Sequence, residues 1–281
     1  MDKNALVVKS NALIETSYRL TLVEQRVLLA CISQVRRDEV LTDQVMYSVS
    51  AQEISELCDS DPKTAYRDLK AAALKLKRRE VRITQEANGK GRLKETLIAS
   101  WVQSIKYSDG DGVVSLRFNH DILPYLSELN RCFTSYKLKD VVRMSSSYGV
   151  RFYELFAQWG GTGERDVSIS WLREALQLEG KYNQIGDFKK RVLDPAIKDI
   201  NKNSDLWVKL TQQKTGRKVT HLRFEFGLKG GSKAKKKKQE NLSGSKILGV
   251  DKTIIEKKAK TGETYEQAAI RIKKEAAKEL A

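Results

Sequence analysis

Residues 50–79 read SAQEISELCDSDPKTAYRDLKAAALKLKRR, and this stretch decides the fold. Ser50 and Glu53 have the spacing of a capping box, which predicts that a short helix begins there. Asp61 followed by Pro62 is typical of an N-cap and a first helical position, so a second, longer helix is expected to fill the rest of the stretch. A short helix, a tight turn and a longer basic helix together indicate a helix-turn-helix.

The segments on both sides of this stretch are predicted to be strands. Apolar and polar residues alternate before it at 46–49, and after it at 80–84 and 96–107. The two later segments are joined by a turn with a basic tip at 88–92, which predicts a β-hairpin. A hairpin directly after a helix-turn-helix is the wing of a winged-helix domain.

The same order of elements recurs later in the chain. The second copy is predicted to contain a strand at 167–169, a helix at 171–178 capped by Ser170, a basic helix at 187–201 capped by Asp187, and strands at 206–211 and 219–226. The two capping serines are 120 residues apart (170 − 50), and the glycines of the two hairpin tips, Gly91 and Gly216, are 125 apart (216 − 91). This nearly constant offset predicts an internal duplication.

The fold class expected from these patterns is α+β, with two tandem winged-helix domains and a basic, partly helical C-terminal tail. We divide the chain into a first domain at 1–118, a second domain at 119–228 and a tail at 229–281. Pro195 conflicts with the second basic helix, because proline removes a backbone hydrogen bond and disfavours helical geometry in the preceding residue. The sequence leaves open whether that helix is kinked or split.

Charge indicates the partner. The chain of 281 residues has 52 Lys and Arg against 36 Asp and Glu, a net charge of +16, which favours nucleic acid first and an anionic membrane surface second. The tail holds 15 of these cations and 7 of the acids, so half of the net charge lies in about a fifth of the length.

The tail has two parts with different expectations. It contains the unbroken run Lys235–Lys238 after a Gly-Gly-Ser segment, which predicts a flexible linker. The run is either a solvated, solubilising segment or a weak, non-specific contact with DNA. Apolar residues from Tyr265 to Leu280 recur at helical spacing and predict an amphipathic helix, either docked on the body or transient. No apolar run is long enough to span a bilayer. The densest basic runs of the body adjoin winged-helix elements rather than a lipid-seeking apolar face, so no membrane partner is expected.

Several classes of chemistry lack their residues in this chain. Cys31 and Cys58 lie in apolar segments and are predicted to be core residues, and neither a disulfide framework nor zinc-ligand spacing is present. His120 and His221 are far apart, whereas a nicking initiator of the rolling-circle type needs paired histidines and a tyrosine. No GxxxxGK[ST] loop occurs. We therefore expect no catalytic residue, no metal and no cofactor.

Four segments carry a resemblance to a known family. They are LTLVEQR at 20–26, FYEL at 152–155, FKKRVLDPAI at 188–197 with Ile200 and Asn201, and TGRK at 215–218 with His221, Phe224 and Phe226. Over about residues 5–228, in this order and spacing, the chain resembles the iteron-binding plasmid replication initiators of the Rep_3 type, found in bacterial theta-replicating plasmids.

The resemblance implies a function and its partners. Monomers would bind direct repeats (iterons) in double-stranded origin DNA, with a helix of each domain in the major groove. A homodimer with contacts in the first domain would repress the initiator's own gene, and chaperones would convert dimer to monomer. The host initiator and the replicative helicase would be recruited in the bacterial cytoplasm, without catalysis. The alternative is a winged-helix transcriptional regulator with no role in replication.

The residues expected to contact DNA lie in the first turns of the two basic helices and at the hairpin tips. They are Lys63, Thr64, Arg67, Lys70 and Arg92 in the first domain, and Lys189, Lys190, Arg191, Arg217 and Lys218 in the second. At least one of the three adjacent cations at 189–191 should approach base edges while the others contact phosphates. The sequence does not decide which.

Overall fold

The computed structural model describes residues 2, 4–36, 42–58, 62–85, 93–108, 111–127, 132–216, 218–230, 246–259 and 264–279. The elements up to residue 142 are β1 (Leu6–Ser10), α1 (Asn11–Glu15), α2 (Leu22–Ile32), β2 (Tyr47–Ser50), α3 (Ala51–Cys58), α4 (Pro62–Leu76), β3 (Glu80–Gln85), β4 (Glu95–Ser100), β5 (Val102–Tyr107), β6 (Val113–Phe118), a 3-10 helix (His120–Tyr125), β7 (Phe133–Lys137) and α5 (Lys139–Val142).

The remaining elements follow the same chain order. They are α6 (Ser147–Gln158), β8 (Glu164–Ser168), α7 (Ile169–Ala175), α8 (Ile185–Phe188), a π-helical turn (Lys189–Leu193), α9 (Asp194–Asn203), β9 (Leu206–Thr215), β10 (Lys218–Leu228), β11 (Lys246–Ile247), β12 (Val250–Asp251), α10 (Lys252–Lys258) and α11 (Tyr265–Glu279).

The first helix-turn-helix forms as the sequence predicts. The Ser50 hydroxyl accepts the backbone N–H of Glu53 at 3.1 Å, and the Glu53 carboxylate accepts the backbone N–H of Ser50 at 2.9 Å, which completes the capping box that begins α3. Pro62 is the first residue of α4, while Asp61 lies outside the described residues. The apolar stripe of α4 is buried against α2 and α3. It consists of Ala65, Leu69, Ala72, Ala73 and Leu76.

The single strand predicted at 96–107 is wrong, because Trp101 divides it. The Trp101 side chain is completely buried and packs edge-on against Tyr18 with 4.9 Å between ring centroids. Its backbone N–H donates to the carbonyl of Arg79, and its carbonyl accepts from Asn119. As a result β4 pairs with β3 to make the first hairpin, whereas β5 joins the separate sheet β2-β6-β5.

The second winged helix repeats the order of strand, short helix, longer helix and hairpin. Two strands of its sheet, β9 and β10, are longer than any strand of the sheet β2-β6-β5. The sheet of the second winged helix has the order β8-β10-β9, with β10 antiparallel to both neighbours. Helix α6 covers one face of the sheet through Phe156, whose ring lies 5.0 Å from that of Phe224 and 4.9 Å from that of Phe226. The α+β fold with two winged-helix domains is therefore confirmed, whereas the division after residue 118 stays a prediction.

The predicted cap of the short second helix is displaced by two residues. Ser168, not Ser170, is the N-cap of α7, since its hydroxyl accepts the backbone N–H of Trp171 at 3.2 Å. Ser170 lies inside the first turn instead. The equivalent serines Ser50 and Ser168 are thus 118 residues apart (168 − 50) rather than 120. The turn predicted at 88–92 lies wholly outside the described residues, so its offset is not tested.

The C-terminal helix is docked on the body, which decides between the two expectations for it. The Tyr265 ring stacks on Trp159 with 5.0 Å between centroids and 21° between planes. Its hydroxyl donates to the carbonyl of Gln158 at 3.3 Å. Ala268 and Ala269 on the same face are completely buried. The short hairpin β11-β12 and α10 pack with α11, while the run Lys235–Lys238 lies outside the described residues.

Candidate nucleic-acid interface

The second basic helix is one continuous element made of α8, the π-helical turn and α9, which we call the basic helix 185–203. Its N-cap is Gln184, so the prediction that Asp187 caps it is wrong. The helix begins two residues before Asp187, because Ile185 and Gly186 already have helical geometry. Asp187 lies in the first turn, where its carboxylate still faces the positive end of the helix dipole.

Three predicted contact residues share the outward side of this helix. Lys189, Lys190 and Arg191 are all exposed, whereas Phe188 and Val192, which flank them in the chain, are completely buried. The helix therefore turns an apolar face to the core and a triply cationic face to solvent. Such a face can hold phosphate oxygens and reach the edges of bases.

Pro195 neither splits this helix nor stops it. The backbone N–H of Asp194 donates to the carbonyl of Lys189, one residue further back than in an α-helix, and this bond closes the π-helical turn. Asp194 keeps helical angles of φ −63° and ψ −44° although it precedes a proline. The outcome is a single helix with one widened turn directly before Pro195.

A buried carboxylate fixes the basic helix 185–203 to α6. Asp199 is 5% exposed and accepts the backbone N–H groups of Ser145 at 2.8 Å and Ser146 at 2.7 Å. Gly149 leaves room for this contact, since a Cβ there would lie 2.9 Å from Oδ2 of Asp199. Sequence periodicity places Asp199 on the apolar face with Val192 and Ala196, but it does not name the partner that a buried carboxylate needs.

Further cations on the helix and hairpin of the second winged helix were not predicted from the sequence. Lys198 and Lys202 continue the exposed side of the basic helix 185–203, and Lys209 and Lys214 are exposed on β9. Lys198 follows Arg191 by seven residues, so helical spacing alone could have identified it. The predicted contact residues covered only the first turns of the helix and therefore did not include Lys198.

The second hairpin has the predicted basic tip in part. Lys218 is exposed beside the turn that Gly216 makes with φ +63°, while Arg217 lies outside the described residues. Arg223, on the same strand, is engaged by Glu164 at 2.6 Å and Asp166 at 3.8 Å. The hydrogen bond to Glu164 raises the pKa of Arg223, which marks it as a sheet ion pair rather than a contact residue.

The predicted residues of the first winged helix differ in their surroundings. Thr64 and Arg67 are exposed on α4, and Arg67 forms a surface ion pair with Asp68 at 3.2 Å. The Lys70 ammonium lies 4.1 Å from the centroid of the Tyr107 ring, so it packs on β5. Lys63 belongs to the first turn of α4, but its side chain lies outside the described residues, as does the whole of Arg92.

Features of other classes of site are absent from the described residues. In that part of the chain no three His, Cys, Asp or Glu side chains come close enough together to hold a metal ion. Among the helices described, none is both long enough and apolar enough to cross a membrane.

Comparison with known families identifies the class of protein. The family described as "Initiator Replication protein, WH1" matches residues 6–157, and its companion "Initiator Rep protein, WH2" matches residues 168–226. The chain belongs to this family of replication initiators, and the resemblance stated from the four sequence segments is confirmed. The two matched ranges leave out the C-terminal elements β11 to α11.

Individual relatives fit the same class. The PI protein of Escherichia coli is 28% identical over 255 residues, covering 80% of this chain and 84% of that protein. A replication initiation protein of Escherichia coli is 26% identical over 230 residues, covering 79% of this chain and 70% of its own length. An uncharacterized 27.6 kDa protein of the same organism is 27% identical over 228 residues, covering 77% of this chain and 93% of its length.

A solved structure extends the likeness to three dimensions. The crystal structure of the Pi initiator protein in complex with iteron DNA matches with a TM-score of 0.70 and 26% identity. The match covers 82% of this chain and all of that one. The protein is thus an initiator of plasmid replication built from two winged helices, as the sequence predicts.

Proposed function

We propose that this protein starts plasmid replication by binding iterons at the origin as a monomer. The observation that carries the proposal is the exposed side of the basic helix 185–203, where three adjacent cations lie opposite a fully buried apolar face. The likeness to the Pi initiator solved with iteron DNA supports it, because the likeness spans both winged helices. In this proposal the origin DNA that the protein binds is double-stranded, and the iterons are direct repeats.

The residue roles follow from exposure and chemistry. Arg191 reads a guanine, because a guanidinium can donate two parallel hydrogen bonds to O6 and N7. Lys189 and Lys190 hold phosphates, and Lys218 with Arg217 contacts the backbone beside the second hairpin. In the first winged helix, Lys63, Thr64 and Arg67 contact the groove from α4. Arg92 contacts DNA from the tip of the first hairpin. Lys70 contacts DNA from its position beside the Tyr107 ring.

The remaining partners belong to the same proposal. A homodimer represses the initiator's own gene, and chaperones convert it to the monomer that binds iterons. The monomer then recruits the host initiator and the replicative helicase. The protein works in the bacterial cytoplasm and acts by binding alone, without catalysis. Support for these partners comes from family membership.

Binding to arrays of direct repeats tests the proposal. The purified full chain is titrated with the direct repeats that flank its gene, with one repeat and with a shuffled duplex of equal length. We expect each repeat to bind one monomer, with affinity at least about a thousandfold above the shuffled duplex at physiological salt. Equal binding to the shuffled duplex would overturn the proposal.

Replication supplied in trans separates the initiator from the regulator. The gene is placed on a compatible plasmid, and an origin plasmid that lacks it is scored for maintenance. Maintenance supports the initiator, whereas repression of the gene's promoter without maintenance supports the transcriptional regulator. Incubation of supercoiled origin plasmid with the protein and magnesium or manganese checks catalysis, since relaxed product would identify a nicking enzyme.

A further inference from the structure

The π-helical turn lies at the position of the three proposed contact cations. An α-helical bond from the N–H of Asp194 would go to the carbonyl of Lys190, but the acceptor is Lys189. The helix is regular on both sides of the turn, over Ile185–Phe188 and Asp194–Asn203. One extra residue is therefore accommodated within 189–193 and nowhere else in this helix.

Pro195 is the cause of the widened turn. Proline has no N–H to offer the carbonyl of Arg191, and in a regular α-helix its ring would collide with that carbonyl. A widened turn relieves this collision without ending the helix, which here continues from Ile185 to Asn203. The Pro195 side chain is itself exposed, so it contributes little to the core. Its effect on the protein is the shape that it gives the preceding turn.

Packing decides on which side the extra residue is accommodated. Core positions before, within and after the π-helical turn are completely buried. They are Phe188, Val192, Leu193, Ala196 and Ile200. Because these side chains fix both halves against α6 and the sheet, the turn can widen only toward solvent. The residues on the solvent side are Lys189, Lys190 and Arg191.

We infer that Pro195 is a positioning residue for DNA recognition, acting through the π-helical turn on Lys189, Lys190 and Arg191. A turn that holds more residues spreads consecutive side chains over a narrower arc, which keeps three adjacent cations facing outward together. Widened turns of this kind are frequent at functional sites. The inference rests on the proposed function, because Pro195 can orient these side chains toward the iteron only if they contact it.

Pro195→Ala tests this inference, because alanine restores the missing N–H and favours the regular helix. We expect the melting temperature to stay the same or rise. We expect affinity for the iteron to fall by about tenfold or more, the discrimination that one good base contact supplies. Affinity for the shuffled duplex should fall much less, since the net charge is unchanged and only the direction of two phosphate-binding lysines is altered.

Pro124→Ala is the matched control. Pro124 is an exposed proline inside the 3-10 helix His120–Tyr125, an element that holds none of the proposed contact residues. This variant should keep both the iteron affinity and the ratio of iteron to shuffled binding. Hydrogen exchange of the new amide at position 195 checks that it is hydrogen-bonded, which the regained helix bond requires.

The outcomes separate the two proposals. If the wild-type chain does not prefer iterons, the proposed function fails before any variant is compared. If the wild type prefers iterons and Pro195→Ala keeps the full preference, the inference alone is overturned. A lower melting temperature, or lost preference with an unprotected amide at position 195, also overturns it, because the loss would then not come from regularising the turn.

Discussion

Lys9 and Glu154 form a buried ion pair that ties β1 to α6. The Nζ atom of Lys9 lies 2.6 Å from Oε1 of Glu154, and both side chains are at most 2% exposed. Arg151 adds a second cation at 3.2 Å, and the hydroxyls of Tyr18 and Tyr136 donate to the same carboxylate. These partners offset the free energy of removing the charges from water, and they hold the helix that covers the second winged-helix sheet.

Lys9→Met should destabilise the protein strongly. The substitution keeps an apolar stem of similar length but removes one of the two cations that compensate the buried Glu154 carboxylate. We expect the free energy of unfolding to fall by about 3 kcal/mol or more, measured by urea denaturation at neutral pH.

Glu275→Gln is the matched control for this loss. Glu275 pairs with Arg271 one helical turn away, and its side chain is half exposed. An exposed pair of this kind contributes less than about 1 kcal/mol. Similar losses in the two variants would show that the Lys9–Glu154 pair does not contribute as a buried pair.

The Glu154 carboxyl makes stability depend on pH on the acid side. Burial alone would raise the pKa of Glu154, but Lys9 and Arg151 outweigh it and hold the pKa below its ordinary value of 4.5. A carboxyl with a lowered folded pKa contributes stability above its unfolded pKa, and this is lost as pH falls through the folded pKa. We therefore expect the free energy of unfolding to decline below pH 4.5.

An NMR titration of the Glu154 carboxyl checks the sign directly. Its midpoint in the folded protein should lie below 4.5, the ordinary value of a glutamate carboxyl. The acid-side decline should also be shallower in Glu154→Gln, whose side chain does not titrate. A Glu154 midpoint above 4.5 would contradict the predicted direction.

Tyr265→Ala should release the C-terminal elements from the body. The substitution removes both the stack on Trp159 and the hydrogen bond to the carbonyl of Gln158. We expect a red shift of tryptophan emission, because Trp159 becomes exposed, and faster proteolysis within α11. Tyr265→Phe keeps the stack and removes only a hydrogen bond worth about 1 kcal/mol, so its emission should stay close to wild type. Equal shifts in both variants would contradict stacking as the main docking interaction.

The sequence was sufficient to predict those elements whose positions depend on local patterns. Two capping-box residues, Ser50 and Glu53, and the position of Pro62 located the first helix-turn-helix correctly, because these signals depend on near neighbours in the chain. The break at Trp101 could not be predicted in this way. It depends on packing against Tyr18, which is more than eighty residues away.

The candidate site shows the same division. Three adjacent cations on a basic helix predicted an outward side at Lys189, Lys190 and Arg191, and all three are exposed, although the predicted cap of that helix was wrong. The π-helical turn follows from Pro195 only once packing on both sides forces the helix to continue. Asp199 likewise needs the start of α6 as its partner, which no local pattern supplies.

Neutralising the run Lys235–Lys238 should change the salt dependence of DNA binding and leave its specificity intact. In the full chain with all four lysines replaced by glutamine, we expect the slope of log affinity against log salt to become shallower. The change should reach up to about 0.9 for each phosphate that the run neutralises in the wild type. The ratio of iteron to shuffled binding should stay constant. An unchanged slope would show that this run does not bind DNA.

Arg191→Ala should reduce specific binding far more than non-specific binding. Removal of a bidentate hydrogen bond to guanine takes away about 1–3 kcal/mol of discrimination, so affinity for the iteron falls while affinity for the shuffled duplex changes little. Lys218→Ala is the control on the hairpin, where removal of one phosphate-binding cation weakens both duplexes alike. Competition binding at several salt concentrations measures both ratios. Equal decreases on the two duplexes for Arg191→Ala would mean that this residue binds phosphate and would move base reading to another residue of the basic helix 185–203.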